Sequence, residues 1–206
     1  MHNRTNMKRL FTLAFAVLLA SSLTFAQSGY KIGAKVKDFT LNDTRNQAVS
    51  LSGFNNARVV VLVFTSLNCP YAKLYDGRLQ ALAQTYAGQG VQFLYINPAI
   101  GLDEGGETVT QMAEKVNTSQ YNIPYLLDEG QAVSKQFGAT KAPEVFVLQR
   151  ADDGYILRYK GAVDDNPQVE AYAKENYLKN ALDHVLAGRS IAVPARRATG
   201  CMIKQF

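Results

Sequence analysis

The sequence predicts an α/β domain, a mixed central sheet flanked by helices, on the strength of three observations. Two apolar, β-branched runs, ARVVVLVFTS (57–66) and VQFLYINP (91–98), enclose a segment whose apolar residues recur every three and four positions. Apolar runs without alternation are the habit of strands buried on both faces of a parallel sheet, so strand, helix and strand form a βαβ unit. Further on, EVFVLQR and YILRYKGAV are joined by ADDG, whose Asp-Gly pair signals an antiparallel hairpin.

The elements follow in order. In residues 1–26, Arg4, Lys8 and Arg9 precede an apolar run from Leu10 to Leu19 and a small-residue site ending at Ala26, which is the pattern of a secretory signal peptide. That run is shorter than the roughly 20 residues of a spanning helix, and no second one exists, so no integral membrane span is expected. DFTLND and QAVSLSGF read as two short strands ahead of the first buried strand. From Pro70 the period changes: Leu74, Tyr75, Leu79, Leu82, Ala83 and Tyr86 mark one helix face, closed by Gly88 and Gly90.

After the second buried strand, GLDEGGE is a loop, and Thr108 with Gln111 forms a capping box for a helix carrying Val109, Met112, Ala113 and Val116. IPYLL leads to a short helical stretch through Val133 and Phe137, then to the hairpin. A long last helix is expected through Val169, Tyr172, Ala173, Leu178, Ala181, Leu182 and Val185, stopped by Gly188. Residues 189–206 have no periodicity and read as a tail carrying Cys201. Four strands in a mixed sheet between helices, over residues 27–188, form the thioredoxin layout with an N-terminal strand extension.

Composition excludes several partners. Without residues 1–26 the charge is 19 basic against 17 acidic residues, so the basic balance of the whole chain, +5, belongs largely to the leader. No dense Lys/Arg face is present, and nucleic acid is not an expected partner. A metal site is not expected either, with one histidine, His184, and two distant cysteines after the leader. No cofactor is called for. GLDEGG lacks the strand-to-helix phosphate pattern. Asp164 and Asp165 read as turn and N-cap residues for the last helix.

The chemistry concentrates at Cys69, which stands where a buried strand hands over to a helix. Unpaired N–H groups and the positive end of the dipole favour thiolate there, and Pro70 suits the first helical position. Ser66, three residues upstream, is placed to donate a hydroxyl hydrogen bond to the sulfur, and Lys73 adds positive charge one turn on. The bland reading is a small buried hydrophobe. Ala142-Pro143 opens the strand EVFVLQR, where a proline is also a plain strand-start signal.

S-L-N-C-P-Y-A-K at 66–73 resembles the C-N-H-C-P-Y-V-K motif of the peroxiredoxin-like (redoxin; alkyl hydroperoxide reductase/thiol-specific antioxidant) branch of the thioredoxin superfamily. KVKDFTL, Y-D-G-R-L (75–79), A-P-E-V-F-V (142–147), G-A-V-D-D-N (161–166) and G-C-M-I-K (200–204) are similar to its landmarks, in the same order. The resemblance implies a cis Ala142-Pro143 bond beside Cys69, presenting backbone to an extended substrate along with Asn68. It further implies an oxidoreductase with a peroxide or protein-disulfide substrate and a thiol reductant, which the leader pattern of residues 1–26 would export to the periplasm or outside the cell. Two departures qualify this. Ser66 replaces the first motif cysteine, so a dithiol cycle within the motif is impossible, and Asn68 replaces the usual histidine. Ser-x-x-Cys is instead similar to peroxiredoxins, yet Leu62 occupies the place of their proline, seven residues before the cysteine.

Three fates of Cys201 are open: resolving Cys69, pairing permanently with it, or pairing with another chain or staying free. The fifteen residues from Leu186 to Cys201 can extend roughly 50 Å, against a radius of gyration of roughly 16 Å for such a domain, so reach does not exclude contact. Peroxidase chemistry at Cys69 resolved by Cys201 leads the expectations. Disulfide exchange with client proteins follows, and a non-catalytic binding module on the same fold is the third.

Overall fold

The computed structural model of the protein describes residues 29–102, 106–118 and 123–204. The leader expected at 1–26 lies outside the described residues. In chain order the elements are β1 (Lys35–Val36), β2 (Thr40–Asp43), β3 (Ala48–Ser50), β4 (Val59–Phe64), α1 (Pro70–Ala87), β5 (Val91–Asn97), α2 (Val109–Thr118) and β6 (Tyr125–Leu127). Then come α3 (Ala132–Phe137), β7 (Lys141–Ala142), β8 (Glu144–Ala151), β9 (Gly154–Gly161), α4 (Tyr177–Leu186), β10 (Ala195–Arg196) and β11 (Cys201–Met202).

The βαβ unit and the hairpin are present. β4 pairs parallel with β5 and antiparallel with β8, and β8 pairs antiparallel with β9. No β4 residue is more than 1 % exposed. Its alternation sends Val59, Val61 and Val63 into one core with Tyr75 and Leu79 of α1, Met112 of α2 and Leu178 and Leu182 of α4. Val60, Leu62 and Phe64 enter a second core with Phe39, Leu51, Val133 and Phe137. A strand apolar at every position is thus what two covered faces require. Phe137 is ringed by Tyr30, Phe39, Phe64 and Phe146, at centroid distances of 5.2, 6.1, 5.9 and 5.4 Å. The capping box forms as expected: Gln111 N–H donates to Thr108 Oγ1 (3.2 Å) and Thr108 N–H to Gln111 Oε1 (2.8 Å).

Five features differ from the expectation. Among the described residues the sheet has nine strands, in the order β1-β9-β8-β4-β5-β6-β2-β3 with β10 beside β9, because short segments from both ends of the fold cover edges that four strands would leave open. Leu74, expected on the apolar face of α1, is 48 % exposed. The last helix begins at Tyr177, not near Val169: Glu170–Tyr172 is a single 3₁₀ turn, with Val169 and Tyr172 exposed.

Asp164 and Asp165 are turn residues but do not cap α4. Asp165 Oδ1 accepts the Lys174 and Glu175 N–H groups. Asp164 is buried and accepts from Tyr75 Oη (2.7 Å) and Arg78 (2.7 Å), tying α1 to this loop. The fifth difference is the tail, which is docked. β10 runs parallel to β9, and β11 runs antiparallel to β7.

Among the described residues, no helix is long and apolar enough to cross a membrane.

Candidate active site

The site is assembled where β4 ends. The chain leaves the sheet through Thr65–Asn68 and enters α1 with Cys69 as N-cap in an extended conformation (φ −79°, ψ 118°) and Pro70 at the first helical position. Lys73 N–H donates the first helical bond to Cys69 O (3.1 Å). Proline is suited to that place because its missing N–H would have no helical partner anyway.

Opposite Cys69, the Ala142-Pro143 peptide is cis, as the resemblance implied. Glu144 Oε2 accepts the Thr140 and Lys141 N–H groups (2.7 and 3.1 Å), which shapes the loop leading into it. The tail then brings Cys201 opposite Ala142 and Met202 opposite Lys141, and Ile203 N–H donates to Thr140 O (3.0 Å). Cys69 and Cys201 are joined by a disulfide, with their Cα atoms 5.9 Å apart and a sequence separation of 132. The structure therefore brings together Cys69, Cys201, Ala142 and Pro143. Asn68 lies exposed at the rim and shares with Cys69, Cys201 and Ala142 a cavity of about 150 Å³ whose apolar wall is Pro98, Ala99, Leu102 and Ile203.

Cys69 is only 2 % exposed, packed by Ala72, Ala142, Tyr71 and Cys201, whereas Cys201 is partly exposed. Cys69 Sγ lies 3.0 Å from Ala142 O. A disulfide sulfur carries no hydrogen, so this is a contact; on reduction that carbonyl becomes the natural acceptor for a Cys69 S–H. Two influences then oppose each other, the helix N-terminus favouring thiolate and the carbonyl favouring thiol. While the bond is closed, Cys69 makes no side-chain capping hydrogen bond.

Ser66 does not serve the sulfur as expected. Its hydroxyl donates to Glu107 Oε1 at 2.5 Å. Glu107, 3 % exposed, also accepts the Leu67 and Asn68 N–H groups (both 2.8 Å) and Asn97 Nδ2 (2.6 Å). A buried carboxylate that satisfies four donors fixes the turn that carries Cys69. Sequence reading assigned Glu107 only to the end of a loop, and no local pattern signals its role, since its partners Ser66, Leu67 and Asn68 lie 39 to 41 residues away. Gln131 was also missed. Its Nε2 donates to Pro98 O (2.9 Å) and to Lys204 O, pinning the tail beside the site. Lys73 is exposed and borders a separate cavity of about 100 Å³ with Asp76, Lys115 and Tyr95.

A thioredoxin-like fold with a cysteine couple set against a cis-proline defines a thiol oxidoreductase of the thioredoxin/redoxin type. Residues 32–171 match the AhpC/TSA family, and the chain belongs to it. None of the curated proteins compared matches the chain. Among solved structures, a hypothetical protein of Sinorhizobium meliloti is 30 % identical, with a TM-score of 0.77 over 86 % of this chain and 96 % of that one. The peroxidoxin BcpB of Mycobacterium tuberculosis is 20 % identical (TM-score 0.54, 76 % and 94 % covered). A putative thiol:disulfide interchange protein DsbE of Chlorobium tepidum is 19 % identical (TM-score 0.58, 77 % and 99 % covered). The last two likenesses establish the fold alone.

Proposed function

We propose that the protein is an exported thiol–disulfide oxidoreductase whose working couple is Cys69 and Cys201. One observation carries this reading: the disulfide lies against Ala142, whose bond to Pro143 is cis, while the backbone around Cys201 is paired, as an extended strand, with Lys141 and Ala142. The first motif cysteine, absent at Ser66, is replaced in space by a cysteine from the tail.

The cycle balances two electrons. A thiolate of a dithiol reductant attacks the more exposed sulfur, Cys201, and the Cys69–Cys201 bond breaks with Cys69 leaving as thiolate at the helix N-terminus. The reductant's second thiol closes its own disulfide and frees Cys201. Cys69 thiolate then attacks a client disulfide, one client cysteine departs as thiolate and takes a proton, and Cys201 displaces the client from Cys69. The reductant is oxidised, the client reduced, and the protein returns to its starting state.

Peroxide reduction is the second reading, supported by the AhpC/TSA match and by Ser66-x-x-Cys69. In that cycle Cys69 thiolate takes an oxygen from the peroxide to become a sulfenic acid, which Cys201 condenses to the same disulfide with loss of water. The geometry favours it less. Ser66 is committed to Glu107, and among the described residues no arginine hydrogen bond reaches Ser66 or Cys69.

The test compares wild type and Cys69→Ser, purified from the exported fraction with a chain beginning at Gln27. Reduction of a model protein disulfide by dithiothreitol is expected to be accelerated by wild type and not by the variant, with little consumption of hydrogen peroxide. Peroxide consumption lost in Cys69→Ser would move the assignment to the second reading. Activity unchanged in the variant would rule out chemistry at Cys69, no activity in either protein would leave a binding module on this fold, and retention inside the cell would remove the export part.

A further inference from the structure

The tail strand shows what fits beside the cis-proline. Residues 200–203 lie along Thr140–Pro143: Cys201 opposite Ala142, Met202 opposite Lys141, and Ile203 N–H bonded to Thr140 O. The positions have unequal freedom. A Cβ on Gly200 would stand 2.3 Å from Ala142 O and 2.7 Å from its carbonyl carbon, both fixed backbone atoms next to the cis bond. No side chain fits there without moving the strand away. Met202, by contrast, is 65 % exposed. Ile203 turns back onto the second core, beside the 150 Å³ cavity walled by Pro98, Ala99 and Leu102.

We propose that this groove binds an extended segment of a client protein carrying Gly-Cys-x-apolar, seated as residues 200–203 are, and that the tail is its built-in competitor. This rests on the exchange reading above and names the substrate class of the same site. Three constraints recognise the segment. A glycine precedes the cysteine because Ala142 O leaves no room, any residue follows it because that position faces solvent, and an apolar residue comes next. Main-chain pairing to Lys141 and Thr140 supplies the rest of the contact, as in strand addition to a sheet edge. In the exchange step, Cys69 thiolate attacks the client sulfur lying where Cys201 now lies. The client's other cysteine leaves with the electron pair, and the returning tail brings Cys201 to break the mixed disulfide. The tail and the client cannot occupy the groove together, so resolution and client release are one event.

The test uses the full mature chain bearing Cys201→Ser, reduced, and synthetic peptides whose cysteine is activated as a mixed disulfide with 5-thio-2-nitrobenzoate. Cys69 thiolate attacks the peptide sulfur, the peptide–nitrobenzoate bond breaks, and the coloured thionitrobenzoate anion is released. The peptide Ala-Thr-Gly-Cys-Met-Ile-Lys is expected to react fastest. Replacing its glycine by valine is expected to slow release by about tenfold or more, the size of one overpacked backbone contact. Replacing its methionine by serine is expected to change the rate by less than about twofold, as for exposed positions generally.

Equal rates for glycine and valine peptides would overturn the specificity while leaving the exchange reading intact. Absence of release from every peptide would instead sink the exchange reading. A disulfide-linked dimer, formed with release of thionitrobenzoate when Cys69→Ser chains activated at Cys201 as the 5-thio-2-nitrobenzoate mixed disulfide meet reduced Cys201→Ser chains, with no discrimination among peptides, would assign the groove to a second copy and overturn the proposal.

Discussion

Glu107 is the residue on which the reactive turn rests. With its carboxylate removed, the Asn97 amide loses its acceptor in a buried place and the Leu67 and Asn68 N–H groups lose theirs in a part-buried one. Glu107→Ala is therefore expected to cost about 2–5 kcal/mol of unfolding free energy, read by urea denaturation, from several donors losing one acceptor together. A loss under about 1 kcal/mol would show that water replaces the carboxylate without penalty. Asp43 carries the acid dependence. Burial, the largest single influence, raises its pKa, but hydrogen bonds from the Gln47 and Arg45 N–H groups and the Arg45 guanidinium outweigh it and hold the carboxyl below its ordinary 3.8. A carboxyl depressed on folding contributes stability that is complete above the unfolded-state value and lost as pH falls through the folded one. The stability difference between wild type and Asp43→Asn should thus be full at neutral pH and shrink below pH 3.8. A difference independent of pH would contradict it. Cys69 was legible at this scale, since a cysteine before Pro70 at a strand–helix junction has a local signature. Glu107 was not, because its partners come from a distant turn.

At the scale of elements, the tail was the largest misreading. Its two strands are two residues each, too short to produce a hydrophobic period, and they exist only because β9 and β7 offer free edges. The last helix was overdrawn for a related reason. Val169, Tyr172 and Ala173 repeat at helical spacing, but Asp164 and Asp165 draw the intervening backbone into a loop instead. The docking of β10 depends on Gly161, whose φ is +124° and whose added Cβ would stand 1.6 Å from Arg196 O. Gly161→Ala should therefore unseat Ala195–Arg196 and loosen the path that delivers Cys201. Closure of the Cys69–Cys201 bond when reduced protein is mixed with oxidised glutathione, which leaves as two glutathione thiols, is followed by quenched alkylation and mass spectrometry and should slow by about tenfold or more, as small misplacements of reacting groups do. An unchanged rate would mean that β11 alone positions the cysteine.

For the whole molecule, the α/β class, the βαβ unit and the hairpin were readable because each rests on contiguous residues: six consecutive apolar positions in β4, the helical period of α1, and the Asp-Gly turn. The nine-stranded sheet was not, since its edges are filled by pairs distant in sequence, such as Lys35 with Ile156 and Ala195 with Lys160. The same closure that covers the edges brings residues 69 and 201 together at the end of the sheet, so architecture and chemistry share one cause. The account stands on Cys69 and Cys201 being a reversible couple, not a permanent staple. The direct measurement is their redox equilibrium against graded dithiothreitol and glutathione buffers, scored by the mass of alkylated protein. The account predicts that both thiols appear together in one two-electron transition, between about −270 and −120 mV, the span of thioredoxin-fold exchange catalysts. A bond that stays closed below about −300 mV, as structural disulfides do, or thiols that titrate separately, would contradict it.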